Sequence, residues 1–395
     1  MERNQKEIQE KLQRKMEEEG FDALLLTRPE SIRYATGVTS AFMYLNIPIG
    51  NVIGIVPKTG NAAVVMSEFE GNAAKIDSTE IDVLGYPIFV YIADFDANGR
   101  MKDSQPNTDK AFHMAAEFIK EKLGAVKKIG VERPMFPYDR MLFLQEQFGE
   151  EVPQDCTQLL KDVTKFKTAW EIEVLRKNAQ ASQRAMSYVA KHTEIGMDEQ
   201  DILLLMNQGL VNEGKGFCST RQCNVVGEQF SPIYLPHTCY KLKEGDTVRL
   251  DGGINSNSYS SDISRTYFVG NKVSDERLKI WNILHDTFEK VFAMIGPGVR
   301  ICDIFKAAED NVKTVIPEYH RGHFGHSVGC YVWWEEYPTI SRHDTNCLEP
   351  GMVMNLEIPY YSSYNNSYNF EDTFLVTETG IDRFTRHSDD IYWRD

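Results

Sequence analysis

The chain has no apolar run long enough to cross a bilayer. Its opening stretch, MERNQKEIQEKLQRKMEEEG, is charged and amphipathic and has no apolar segment of the kind that directs secretion. A cytoplasmic protein is expected. Cysteine is sparse and unpatterned: seven residues, an odd count with no CxxC pair. That pattern indicates neither a disulfide framework nor a zinc–thiolate centre. Cys330 lies close to His326 in sequence, but a small buried thiol is the simpler reading. Positive charge is in deficit, 43 Lys and Arg against 58 Asp and Glu, for a net charge of -15. This balance argues against nucleic acid and anionic membrane as partners.

The chain has 395 residues, enough for two domains, each with its own core. Up to about Gln154, strand and helix signals alternate. GFDALLLT, GNVIGIVP, NAAVVM and KKIGVE have the apolar, β-branched character of strands, and DKAFHMAAEFIKEKLG and YDRMLFLQEQFG have helical periodicity. Residues 96–108 are polar, with Gly and Pro, and predict a surface loop. A long amphipathic helix follows in TAWEIEVLRKNAQASQRAMSYVAKHTEIG, with Gly196 at its end. These signals predict a small α/β domain over 1–158 and a second domain over 159–395.

The second domain repeats itself weakly. GMDEQDI at 196–202 resembles GVRICDI at 298–304, and EGDTVRLD at 244–251 resembles PGMVMNLE at 350–357. In each of the latter strings an acidic residue closes an apolar strand. A repeat of this length predicts a pseudo-symmetric domain rather than a solenoid. Each half delivers two carboxylates, Asp251 and Asp262 from the first, Glu357 and Glu371 from the second. If Ser256-Asn257 forms a two-residue turn, Asp251 faces Asp262, with Cβ atoms roughly 4.5–5.5 Å apart. A fold-back about Tyr364 sets Glu371 opposite Glu357 in the same way. Carboxylates so close inside apolar strands repel one another and call for a cation. His326, in GHFGHSVG, adds an imidazole. One nitrogen donor with four carboxylates suits two divalent ions, manganese first, with iron, cobalt or zinc as alternatives.

These residues resemble the pita-bread family, which includes methionine aminopeptidase, prolidase, aminopeptidase P and creatinase. The resemblance runs through ESIRYATGV and KKIGVE, then FKTAWEIEVLRKNAQ, then LDGGINSNSYSSDISRTYFVG, GHSVG, LEPGMVMNLE and FED. It implies an α+β architecture, with a creatinase-like N-terminal α/β domain followed by a duplicated catalytic domain. It implies that Asp251 chelates one metal, that His326 and Glu357 bind the second, and that Asp262 and Glu371 bridge the two. A bridging water is then the nucleophile and Glu357 the proton acceptor. His237, in PHT, matches a histidine that hydrogen-bonds the substrate. The implied activity is hydrolysis of a peptide or amide bond of the Xaa-Pro type, in a homodimer.

Three positions depart from the proline-specific peptidases. Trp333 stands where a second histidine is usual, Glu357-Ile358-Pro359 replaces glutamate-proline-glycine, and Asn369 replaces an arginine two residues before Glu371. Aromatic residues crowd the same region. An aromatic box with Trp333 and Tyr361, and Glu336 as countercharge, would suit a cationic or methylated-ammonium substrate. The alternative is therefore a pita-bread enzyme acting on a small non-peptide molecule like ectoine, creatine or dimethylsulfoniopropionate. A non-catalytic binding module is a third reading, against which the complete ligand set argues.

Overall fold

The computed structural model describes residues 3–43, 51–77, 80–88, 108–214, 225–228, 240–331, 335–362 and 364–393. His237 and Trp333 lie outside them, as does most of the loop expected over 96–108. The chain forms two compact units, Met1–Thr164 and Lys165–Asp395.

The first unit opens with α1 (Gln5–Glu19), started by the Asn4 side chain accepting the Glu7 amide and stopped by Gly20 in the left-handed region. β1 (Ala23–Leu26), α2 (Pro29–Thr36), β2 (Ile53–Pro57), β3 (Ala62–Ser67), α3 (Glu68–Asp77) and β4 (Ile81–Tyr86) follow. The unit closes with α4 (Thr108–Leu123), β5 (Ile129–Val131), α5 (Tyr138–Phe148), β6 (Pro153–Asp155) and α6 (Thr157–Thr164). The sheet order is β4-β3-β2-β1-β5-β6, mixed in direction. The fully buried runs of β1, β2 and β3 explain why they read as continuous apolar strings. α4 packs Phe112, Ala115 and Ile119 onto this sheet. β4 was not anticipated, because its IDVLGY is only half-buried and carries little periodic signal.

The second unit begins with α7 (Ala169–His192), opened by a Thr168/Glu171 capping box. The helix ends before the expected Gly196, whose amide instead donates to the Leu242 carbonyl. α8 (Glu199–Asn212), β7 (Val225–Val226), β8 (Thr247–Gly252), β9 (Asn255–Ser256), β10 (Tyr259–Ser260) and β11 (Ile263–Phe268) complete the first half. The second half holds α9 (Asp275–Phe292), α10 (Ile301–Lys313), β12 (His323–Ser327), β13 (Glu336–Ser341), β14 (Val353–Glu357), β15 (Tyr360–Tyr361), β16 (Ser367–Tyr368), β17 (Glu371–Val376) and β18 (Ile381–Arg383). The repeated GMDEQDI and GVRICDI strings lead into α8 and α10, and the repeated EGDTVRLD and PGMVMNLE strings form β8 and β14. One antiparallel sheet, β13-β12-β14-β17-β11-β8-β7, carries both halves, with β18 beside β17. Its apolar face packs Phe374, Met354 and Leu356 against Leu284, Phe288, Ile304 and Phe305 of α9 and α10.

Candidate metal centre

The acidic residues gather where β8, β11, β14 and β17 run side by side. β14 and β17 pair with Glu357 directly opposite Glu371, the register that a fold-back about Tyr364 predicts. The first half differs from expectation. Its turn falls at Asn257-Ser258, both with positive φ (54° and 66°), one residue later than Ser256-Asn257. Two consecutive positive-φ residues make the hairpin turn whose twist matches its strands, and asparagine tolerates that conformation. The shift puts Asp251 opposite Ser264 and leaves Asp262 just before β11, so the two aspartates are not directly opposed. β11 pairs with β17 through Ser264 and Glu371, which joins the halves.

Asp262, His326 and Glu371 each offer a ligand atom, all within 4.8 Å of one another. His326 is 4 % exposed and Glu371 2 %. His326 Nδ1 is 2.9 Å from the Ser327 carbonyl. A carbonyl only accepts, so the ring proton belongs on Nδ1 and the lone pair on Nε2. That Nε2 lies 3.8 Å from Asp262 Oδ2. In the neutral ring this sets two electron-rich atoms face to face, an arrangement that a shared cation satisfies, and the donors suit a divalent metal. Burial first, then repulsion from Asp262, Asp251 and Glu357, pushes the Glu371 carboxyl well above the usual range. Asn355 Nδ2 donates to Glu371 Oε1 at 2.8 Å, and its own carbonyl oxygen lies 2.8 Å from the Thr373 hydroxyl, which is 3.0 Å from the Asp262 carbonyl.

Asp251 and Glu357 stand at the edges of this triad. Asn369 Nδ2 approaches Asp251 Oδ2 at 3.4 Å. Glu357 Oε1 is 3.2 Å from both Arg321 Nη2 and His323 Nδ1, and His323 Nε2 is 3.2 Å from Glu335 Oε2. Close approach of β12 to β14 depends on Gly325, at φ +136°, where a Cβ would fall 2.1 Å from the Asn355 carbonyl oxygen.

The proposed substrate residues fare differently. Glu336 is 6 % exposed and faces inward. It pairs with Lys167 Nζ at 3.2 Å and accepts the Tyr331 amide at 2.8 Å. Lys167 also donates to Ser327 Oγ at 2.8 Å, so the Glu336–Lys167 pair braces the strand carrying His326. Tyr361 does lie beside the acidic centre, with Glu357 and Asp251 among the charges acting on its hydroxyl. Arg249, Arg321, His323 and Asn355 were not foreseen. Two signals pointed to some of them: Arg249 and Asn355 lie two residues before Asp251 and Glu357 and share their strand faces, and HRGHFGH concentrates basic residues at the start of β12.

A sequence model of metallopeptidase family M24 matches residues 173–378, and one of the creatinase/prolidase N-terminal domain matches 9–163. A Xaa-Pro dipeptidase of Pyrococcus furiosus is 24% identical over 387 residues, covering 96% of this chain and 98% of that protein. The solved Xaa-Pro dipeptidase of Bacillus anthracis superposes with a TM-score of 0.78 at 21% identity, covering 98% and 99% of the two chains. The X-Pro aminopeptidase of Thermotoga maritima gives 0.78 at 19% identity, covering 97% and 98%.

Proposed function

Because the chain belongs to metallopeptidase family M24, we propose that it hydrolyses the peptide bond of short Xaa-Pro substrates with two divalent metal ions, manganese first. The observation that carries this reading is the His326 lone pair facing Asp262 Oδ2 at 3.8 Å beside Glu371. In this reading Asp262, His326 and Glu371 form the centre of the site, and Asp251 and Glu357 complete it on either side. When bound, the ions supply an activated water nucleophile and polarise the scissile carbonyl. The protein residues prepare the rest. The Ser327 carbonyl fixes the His326 tautomer. Asn355 orients Glu371. Glu357, steadied through Oε1 by Arg321 and His323, accepts the proton released at the nucleophile. His237 is retained as the residue that hydrogen-bonds the substrate, and a homodimer as the assembly, both on the resemblance to the family.

Protein purified without chelator is expected to hold about two divalent ions per chain and to cleave Xaa-Pro dipeptides. Asp262→Asn is expected to lose both while keeping the wild-type circular dichroism spectrum. Elemental analysis showing neither retained metal nor uptake of manganese or cobalt rejects the reading.

A further inference from the structure

Between Tyr364, which is 81 % exposed, and β17 the chain runs into the core. Tyr368 and Phe370 are 0 % exposed and pack against Phe268, Trp281 and Phe288. Asn369 lies between them and is 1 % exposed. Its backbone is tied to β11 twice. The Asn369 amide donates to Thr266 Oγ1 at 2.9 Å, and the Thr266 hydroxyl donates to the Asn369 carbonyl at 3.1 Å. Asn369 precedes Glu371 by two residues, so in extended chain both side chains leave the face that carries the acidic centre.

The Asn369 side chain is poorly satisfied there. Nδ2 approaches Asp251 Oδ2 at 3.4 Å, the outer limit of a hydrogen bond. Oδ1 is buried and has no hydrogen-bond partner among the described residues. A buried acceptor without a donor is costly, and native proteins seldom keep one without a use. A cation supplies the partner that such an oxygen needs. Half a turn of the amide about its last torsion exchanges Oδ1 and Nδ2. The oxygen then stands where the nitrogen stood, 3.4 Å from Asp251 Oδ2. Two oxygens at neighbouring corners of an octahedral ion lie about 3 Å apart, given metal–oxygen distances of about 2.1 Å. A small side-chain movement closes the difference. The nitrogen takes over the unpartnered position, a cost of similar size, which the metal–oxygen contact outweighs. An arginine at this place offers no acceptor, and its charge repels a cation.

We propose that Asn369 is an additional, neutral oxygen ligand for the divalent ion held by Asp251. Its amide faces Asp251 through nitrogen in the metal-free protein and through oxygen in the loaded one. A hard amide oxygen also favours manganese over softer ions at that position. The proposal rests on the two-metal reading and adds a ligand to it.

The test uses the full chain stripped with chelator and titrated with manganese by calorimetry. Wild type is expected to take up two ions. In Asn369→Leu one binding step is expected to weaken by at least about tenfold, the scale on which groups supporting a metal act. It is the step that Asp251→Asn also abolishes, and the other step stays as in wild type. Metal-free Asn369→Leu keeps wild-type stability or exceeds it, because an apolar group of similar shape replaces a poorly satisfied amide. Asn369→Ala repeats the titration with a smaller side chain, so a folding defect of Asn369→Leu does not hide the outcome. Cobalt separates ligation from a hydrogen bond to Asp251, since its visible absorption intensifies as the coordination number falls. Cobalt-loaded Asn369→Leu is expected to show a stronger band, and Asn369→Asp, which keeps an oxygen donor, the wild-type band. Two manganese steps unchanged in Asn369→Leu and Asn369→Ala, or a cobalt band unchanged in Asn369→Leu, overturns the ligand and spares the two-metal reading. No uptake of manganese by wild type overturns that reading and the ligand with it.

Discussion

Glu371 and Asp372 are neighbours on β17, 2 % and 0 % exposed, with side chains leaving opposite faces of the strand. On one face Asp372 accepts from Arg265 Nη2 and Arg383 Nη2, each at 2.7 Å, and from the Thr385 hydroxyl. Arg265 also donates through Nη1 to the carbonyls of Ser264 and Glu371 and through Nη2 to Gln183 Oε1. On the other face Glu371 meets Asp262, Asp251 and Glu357, and Asn355 contributes a neutral donor. The protein thus supplies its own cations where a buried carboxylate holds the sheet to its surroundings. Among the described residues it leaves the opposite carboxylate without an adjoining guanidinium or ammonium, where an ion from outside would complete the site. Two residues of like charge and burial are distinguished by the company they keep.

The largest expected break in this comparison is at Asp372. Arg265→Ala leaves a buried carboxylate short of a partner and is expected to cost about 3–5 kcal/mol, measured by urea unfolding of the metal-free protein. Adding Asp372→Asn to that variant is expected to recover part of the loss, and an additive double mutant argues against direct coupling. The other face responds to metal. At manganese about a hundredfold above its dissociation constant, wild type is expected to gain about 2.7 kcal/mol, and Glu371→Gln less than half of that. Thermal unfolding with and without manganese checks this. Equal gains would place the metal elsewhere.

A smaller effect is expected from pH. The folded-state pKa of Glu371 is raised, so the metal-free folded chain holds this proton more tightly than the unfolded chain does. Its contribution to stability is complete below the unfolded value of 4.5 and is lost as pH rises from there towards the folded value. Metal-free wild type should therefore weaken with rising pH across that window, by up to about 1.4 kcal/mol per pH unit for one proton. Unfolding curves at successive pH values should show Glu371→Gln lacking this component. The smallest effect is expected at Tyr364, where Tyr364→Ser should shift stability by less than about 0.5 kcal/mol and leave Xaa-Pro hydrolysis at the wild-type rate.

Much of this arrangement was legible in the sequence. The creatinase-like N-terminal domain before a pita-bread catalytic domain follows from strand and helix signals and from shared motifs. The Glu357–Glu371 register followed from counting, because β15 with β16 and β14 with β17 pair about the same centre. Counting failed for Asp251 and Asp262, because a tight turn's position depends on which two residues accept positive φ. Asn257-Ser258 won over Ser256-Asn257 by one place. The burial of Glu336 was not legible, because a buried glutamate and an exposed one look alike in a string, and its partner Lys167 lies 169 residues away. Tyr368 and Phe370 were unreadable for the same reason, since only the packing of α9 against the sheet makes them core.

Gly325 carries a further consequence for how this protein tolerates change. It is neither a ligand nor a charge, and in a library of variants it would ordinarily rank among the dispensable positions. Yet any side chain there would collide with β14, and relief of that collision would carry His326 away from Asp262. A screen for retained metal should therefore find position 325 as intolerant as the proposed ligands, with alanine already enough to separate the two halves' contributions.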